Sequence, residues 1–140
     1  MKLVVDASVF LAFVIPEEKE HASASEFFAV CETEGHQILF PALALAEVAG
    51  GVARRKRDPH KAELAVMRMR RLTSVRFFPL TVEDSEAAGR LARRYFLRGA
   101  DAVYCELSRR NKAPLITFDL EILDRIPAHS PEGWLNSRLS

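Results

Sequence analysis

Four carboxylates, Asp6, Glu47, Asp101 and Asp119, sit where this chain could concentrate negative charge. Asp6 cuts off the apolar run Leu3-Val4-Val5, and Asp119 follows Leu115-Ile116-Thr117-Phe118. Asp101 opens one helical pattern, and Glu47 lies inside another. Taken singly, the three aspartates read as helix N-caps, a position that Asp favours. Glu47 has no such reading, and its ordinary explanation is a half-buried acid paired with an arginine. Taken together they suggest a site, because ligands of open parallel sheets bind beyond the carboxyl ends of the strands. Carboxylates gathered on that rim repel by about 3 kcal/mol per pair at ~5 Å and an effective dielectric of ~20. Either some take up protons or a multivalent cation neutralises them. An all-oxygen donor set suits Mg²⁺ or Mn²⁺ and not zinc.

Other chemistries find little support. His21, His36, His60 and His129 are scattered, and Cys31 and Cys105 have no metal-ligand spacing. No P-loop and no GxGxxG is present.

Alternating strand-like and helical patterns are expected to position the acids. Strands are predicted at Leu3–Val5, Gln37–Phe40, Val75–Phe78 and Leu115–Phe118, each an apolar run between turn signals. Helices are predicted at Ser8–Ile15, His21–Thr33, Leu43–Arg57 and His60–Leu72. Two more run from a Thr81 cap to about Leu97 and from Asp101 onward, and a short helical turn follows Asp119. In the Leu43–Arg57 helix, Leu45, Val48, Ala49 and Val52 form the expected core face, with Glu47 on a stripe beside it. The last dozen residues have weak periodicity and receive no assignment. Apolar strands separated by helices imply an α/β fold, a parallel sheet covered on both faces.

The 140 residues fit a single domain, 1–140. No apolar run approaches the ~20 residues that cross a bilayer, and no secretory leader is visible. A cytoplasmic protein with reduced thiols and no membrane partner is therefore expected. The net charge is +1, yet residues 54–71 hold eight basic and two acidic groups. This asymmetry marks either a nucleic-acid footprint, with Arg54, Arg55, Lys56 and Arg57 as its first candidates, or a solvated helix face in an Arg-rich chain.

The motifs VVDAS around Asp6, LALAEV around Glu47, RGADAVYCELSRR around Asp101 and APLITFDLEIL around Asp119 occur in this order and spacing. With them the chain resembles the PIN-domain family, and most closely the VapC-type ribonuclease toxins of toxin–antitoxin pairs. The resemblance implies a PIN-like three-layer α/β/α fold with a central parallel sheet. It implies Asp6, Glu47, Asp101 and Asp119 as catalytic metal ligands for Mg²⁺ or Mn²⁺, with Ser8 and Thr117 as supporting hydroxyls, and RNA as the substrate. It also implies a small cognate antitoxin seated in the active-site groove and a homodimer.

Two other readings carry expectations of their own. The chain could be a PIN-domain RNA-processing nuclease that is not a toxin, although its small size favours the toxin. It could also be a non-catalytic acidic-rim binding or signalling domain. A receiver-like domain would need adjacent acids after the first strand and a lysine after a late one. Asp6 stands alone, and Lys112 precedes its strand.

Overall fold

A computed structural model describes residues 1–139. Strand β1 (Lys2–Val5) leads into α1 (Ala7–Val14) and α2 (His21–Glu34). Then come β2 (Gln37–Pro41), α3 (Leu43–Lys56), α4 (Pro59–Arg70) and β3 (Val75–Phe78). The chain continues through α5 (Val82–Tyr95), α6 (Gly99–Asn111), β4 (Leu115–Ile116), α7 (Leu120–Arg125) and α8 (Pro131–Ser137). The four strands form one parallel sheet in the order β3-β2-β1-β4, flanked by helices as expected.

That order decides where a site can form. The chain builds outward from β1 through β2 to β3, then returns to the other side of β1 to lay down β4. The reversal leaves a crevice at the carboxyl ends of β1 and β4, the two strands that Asp6 and Asp119 follow. β1 can occupy the middle of the sheet because Leu3, Val4 and Val5 are fully buried. Val4 pairs with Leu115 and Val5 with Ile116, and the Asp6 amide donates to the Ile116 carbonyl at 2.9 Å.

Strand β4 is shorter than the apolar run suggests. It stops at Ile116 because Thr117 leaves the ladder: its amide donates to the His129 carbonyl at 2.9 Å while its hydroxyl turns to Asp6. The unassigned tail is ordered around that point. His129 bridges Ile116 in parallel, Ser130 caps α8, and Pro131 occupies the first turn. Ser-Pro-Glu is a helix-start signature, and the short length of α8 hid its periodicity. The indole of Trp134, buried, meets the Phe27 ring edge-on at 5.6 Å and so ties α8 to α2.

Helix α3 corrects the expected core face: Ala44, Val48 and Val52 are buried, while Leu45 is only partly so. Gly51 lets α3 approach α1 closely, since a Cβ there would lie 2.8 Å from Leu11 Cδ2. Helix α6 begins at Gly99, two residues before the expected start, with Arg98 as its N-cap residue. Cys31 and Cys105 are free and buried, and burial pushes both thiols up to about 12. Among the described residues no helix is long and apolar enough to cross a membrane.

Helix α5 starts with the reciprocal cap its sequence announces. Thr81 Oγ1 accepts from the Asp84 amide at 3.0 Å, and Asp84 Oδ2 accepts from the Thr81 amide at 3.2 Å. Thr81→Ala removes one half of this box and is expected to cost about 1 kcal/mol in urea unfolding. Thr81 does not line the cleft at the crevice, so cleft chemistry should be unaffected.

Candidate functional site

Asp6, Glu47, Asp101 and Asp119 all line one cleft of about 840 Å³ at the crevice, together with Ser8, Arg54, Arg55, Arg57 and Arg98. The site is built upward from Asp6. This residue holds the N-cap position of α1, but its side chain makes no cap hydrogen bond. The expected capping role is therefore corrected: the nearby Ser8 amide favours the charged form only weakly. The carboxylate Oδ2 instead accepts from Ser8 Oγ at 2.6 Å and from Thr117 Oγ1 at 2.9 Å.

Both hydroxyls act as relays. Ser8 Oγ accepts from the Phe118 amide at 3.2 Å, and Thr117 Oγ1 accepts from the Asp119 amide at 3.0 Å. Two backbone N–H groups of the β4–α7 turn thus reach Asp6 through two side-chain hydroxyls. Aligned chains of this kind polarise one another. Thr117 is fully buried, so its position is set by packing as well as by these bonds.

Asp119 does cap its helix. Oδ1 accepts from the Glu121 and Ile122 amides at 2.9 and 3.1 Å, while Oδ2 faces Arg98 at 2.6 Å. One carboxylate thereby serves the helix with one oxygen and the cleft with the other. Asp101 lies in the first turn of α6 and accepts from Arg98 Nε at 2.9 Å. Glu47 accepts from the hydroxyl of buried Tyr104 at 2.6 Å. The expected arginine partner for Glu47 is thus replaced by a neutral phenol.

The electrostatics follow from crowding. Burial is the main force raising the pKa of Asp6, opposed by its two hydroxyl donors and reinforced by the charge of Asp101. Burial also raises Glu47, with Tyr104 pulling down and Asp6 and Asp101 pushing up. Asp101 is raised too, first by burial and then by Asp119, against the opposing pull of Arg98. Burial and the neighbouring negative charges hold Tyr104 protonated, which keeps it a donor. The four carboxylates lining one cleft form an all-oxygen donor set whose mutual repulsion a hard cation would relieve. Among the described residues, however, no three such groups are drawn together tightly enough to enclose an ion in this arrangement.

The basic run divides. Arg54, Arg55 and Arg57 border the cleft, although Arg55 also pairs with Glu18 at 3.1 Å. Lys56 does not line the cleft: its Nζ lies 2.5 Å from Glu17 Oε1. Two partners of the acids escaped the sequence reading, Arg98 in the cleft and buried Tyr104 behind Glu47. Arg98 could have been noticed three residues before Asp101, a spacing at which helical side chains meet. Tyr104 reads as ordinary core and gives no signal of its own.

Three solved structures share the architecture. VapC20 of Mycobacterium tuberculosis, described as a sarcin-ricin loop cleaving toxin, aligns with a TM-score of 0.74 at 21% identity, covering 87% of this chain and 93% of that one. VapBC2 of Rickettsia felis, crystallised with a DNA fragment from its promoter, gives 0.69 at 12%, covering 93% and 97%. A toxin–antitoxin complex from Klebsiella pneumoniae gives 0.65 at 17%, covering 92% and 97%. At such identities the likeness establishes the fold. No curated protein is significantly similar in sequence. Residues 3–128 match the PIN domain, nearly the whole chain, and the chain therefore belongs to the PIN domain family.

Proposed function

We propose that the chain is an Mg²⁺- or Mn²⁺-dependent endoribonuclease that hydrolyses phosphodiester bonds of single-stranded or structured RNA, and that it is the toxin of a VapBC-type pair. The observation that carries this reading is the convergence of four carboxylates from distant parts of a PIN-family chain on one arginine-bordered cleft. Asp6 and Asp101 would hold the ion directly, and Glu47 and Asp119 directly or through water. When bound, the ion supplies Lewis acidity toward the phosphate and toward water.

The chain's own groups do the rest. Ser8 and Thr117 fix Asp6 Oδ2 and, among the described residues, leave Oδ1 without a side-chain donor. Tyr104 donates to Glu47 and fixes its orientation at the cleft, where burial raises the Glu47 pKa above the usual carboxylate range. Arg54, Arg55 and Arg57 bind RNA phosphates at the mouth of the cleft. A single domain, a homodimer and a small antitoxin covering the cleft belong to the same proposal. Neighbouring folds crystallised as toxin–antitoxin assemblies support the antitoxin.

The test is incubation with a panel of structured RNAs in Mg²⁺, in Mn²⁺ or in EDTA. Cleavage at defined positions that stops with EDTA is expected, and cleavage that survives chelation overturns the reading. Salt dependence tests the arginines separately. Replacing Arg54 and Arg57 with Ala is expected to weaken RNA binding and flatten the slope of log K against log salt by about 1.5. Lys56→Ala should leave that slope unchanged, and an equal effect of Lys56 would remove the cleft assignment.

A further inference from the structure

Two of the four carboxylates are already answered by a cation that belongs to the chain. Arg98 donates from Nε to Asp101 Oδ2 at 2.9 Å and from its terminal NH2 nitrogen to Asp119 Oδ2 at 2.6 Å. One planar guanidinium therefore joins the first turn of α6 to the cap of α7, a geometry for which the arginine fork is well suited. The other half of the cleft is different. Asp6 is held by Ser8 and Thr117, and Glu47 by Tyr104, all neutral hydroxyl donors.

We propose that Arg98 is a built-in counter-ion occupying the cation position between Asp101 and Asp119, and that a divalent ion loads the cleft only as this guanidinium swings away. The inference rests on the nuclease reading of the same cleft. Its first ground is competition: a guanidinium and a metal ion cannot share the same two carboxylate oxygens without strong like-charge repulsion. Its second is the open arrangement of the acids, in which no three of the described groups are yet close enough to enclose an ion. Its third is exposure. The Arg98 side chain is 65% exposed and sits at the entrance of α6, so release returns it to water. Exposed ion pairs are individually weak, and this one can be surrendered to a divalent ion. The arrangement keeps Asp101 and Asp119 neutralised in the metal-free protein and sets the metal concentration at which the cleft fills.

The experiment is a Mn²⁺ titration of the full chain by calorimetry, without RNA and at one low ionic strength. It compares the unmodified protein with Arg98→Gln, Arg98→Lys and Asp101→Asn. Arg98→Gln is expected to bind Mn²⁺ about 5- to 10-fold more tightly, the factor that two weak exposed pairs supply. Arg98→Lys, which keeps the charge but loses the fork, should fall between, and Asp101→Asn should bind more weakly than the unmodified protein. Mn²⁺ should also raise the Tm of Arg98→Gln by more than it raises that of the unmodified protein. Equal or weaker Mn²⁺ binding by Arg98→Gln overturns the inference and makes Arg98 a structural clamp, while metal-dependent RNA cleavage would leave the nuclease reading standing. Failure of both proteins to bind Mn²⁺ overturns the two together. Should Arg98→Gln fold poorly by circular dichroism, Arg98→Lys takes its place: tighter Mn²⁺ binding than the unmodified protein supports the counter-ion role, and equal or weaker binding overturns it.

Discussion

Asp6→Asn is expected to reduce metal-dependent RNA cleavage by about 10³-fold while leaving the protein as stable as before, or more so. The activity loss follows from removing a full negative charge beside the reacting centre. At ~4 Å and an effective dielectric of ~20 that charge is worth about 4 kcal/mol, or about 10³ in rate. The stability side runs the other way. Asp6 is buried, and burial together with the Asp101 charge raises its pKa above the unfolded value. The native state therefore holds the Asp6 proton more tightly than the unfolded chain does. Stability from this group is fully present below the unfolded pKa, about 4, and is lost as the pH rises through the folded value.

Asn keeps an oxygen for the Ser8 and Thr117 hydroxyls without carrying the charge. Thermal unfolding across pH 4 to 8 should then decline less steeply for Asp6→Asn than for the unmodified chain, with Glu47 and Asp101 supplying the slope that remains. Added Mn²⁺ should raise the Tm of the unmodified chain near neutral pH, where it relieves the repulsion, and raise that of the variant far less. Full cleavage by Asp6→Asn, or a Tm that collapses in the variant, would show that the carboxylate serves the fold and not the chemistry.

Thr117→Val is expected to cost about 2–3 kcal/mol of stability and to lower cleavage by one to two orders of magnitude. The hydroxyl has no exposure and two obligations: it donates to Asp6 Oδ2 and accepts from the Asp119 amide. Valine fills nearly the same volume, so packing is preserved while both bonds vanish at once. The Asp119 amide then loses its partner, and Asp6 keeps only the Ser8 hydroxyl. With one relay gone, the Asp6 pKa should rise further, and the pH profile of cleavage should shift toward higher pH. Thr117→Ser retains the hydroxyl and should recover most of the activity. Urea unfolding together with pH–rate profiles of the three proteins separates this positioning role from simple packing. A variant that loses stability without any shift in its pH profile would confine Thr117 to the core.

Much of this protein was legible along the chain, because many of its signals are local. Apolar runs at Leu3–Val5 and Gln37–Phe40 marked buried parallel strands. The Thr81 cap fell where its helix starts. Each such signal acts within one turn or one strand, so neighbours in sequence suffice to read it. The identities and order of Asp6, Glu47, Asp101 and Asp119 were likewise available from residue type and from the ends of those elements.

The partners of these acids were decided by the fold alone. Thr117 meets Asp6 across 111 residues of chain, Tyr104 meets Glu47 across 57, and Arg98 meets Asp119 across 21. Whether Asp6 caps its helix or is held by hydroxyls depends on β4 lying beside β1, which is a property of strand order. Likewise, Arg54 and Lys56 differ by two positions, about 200° around an α-helix, and only the packing of α3 turns one to the cleft and the other to Glu17. Local propensity set which residues carry charge and which elements hold them. Tertiary contact set which charges face each other, because that choice belongs to pairs of segments and to neither segment alone.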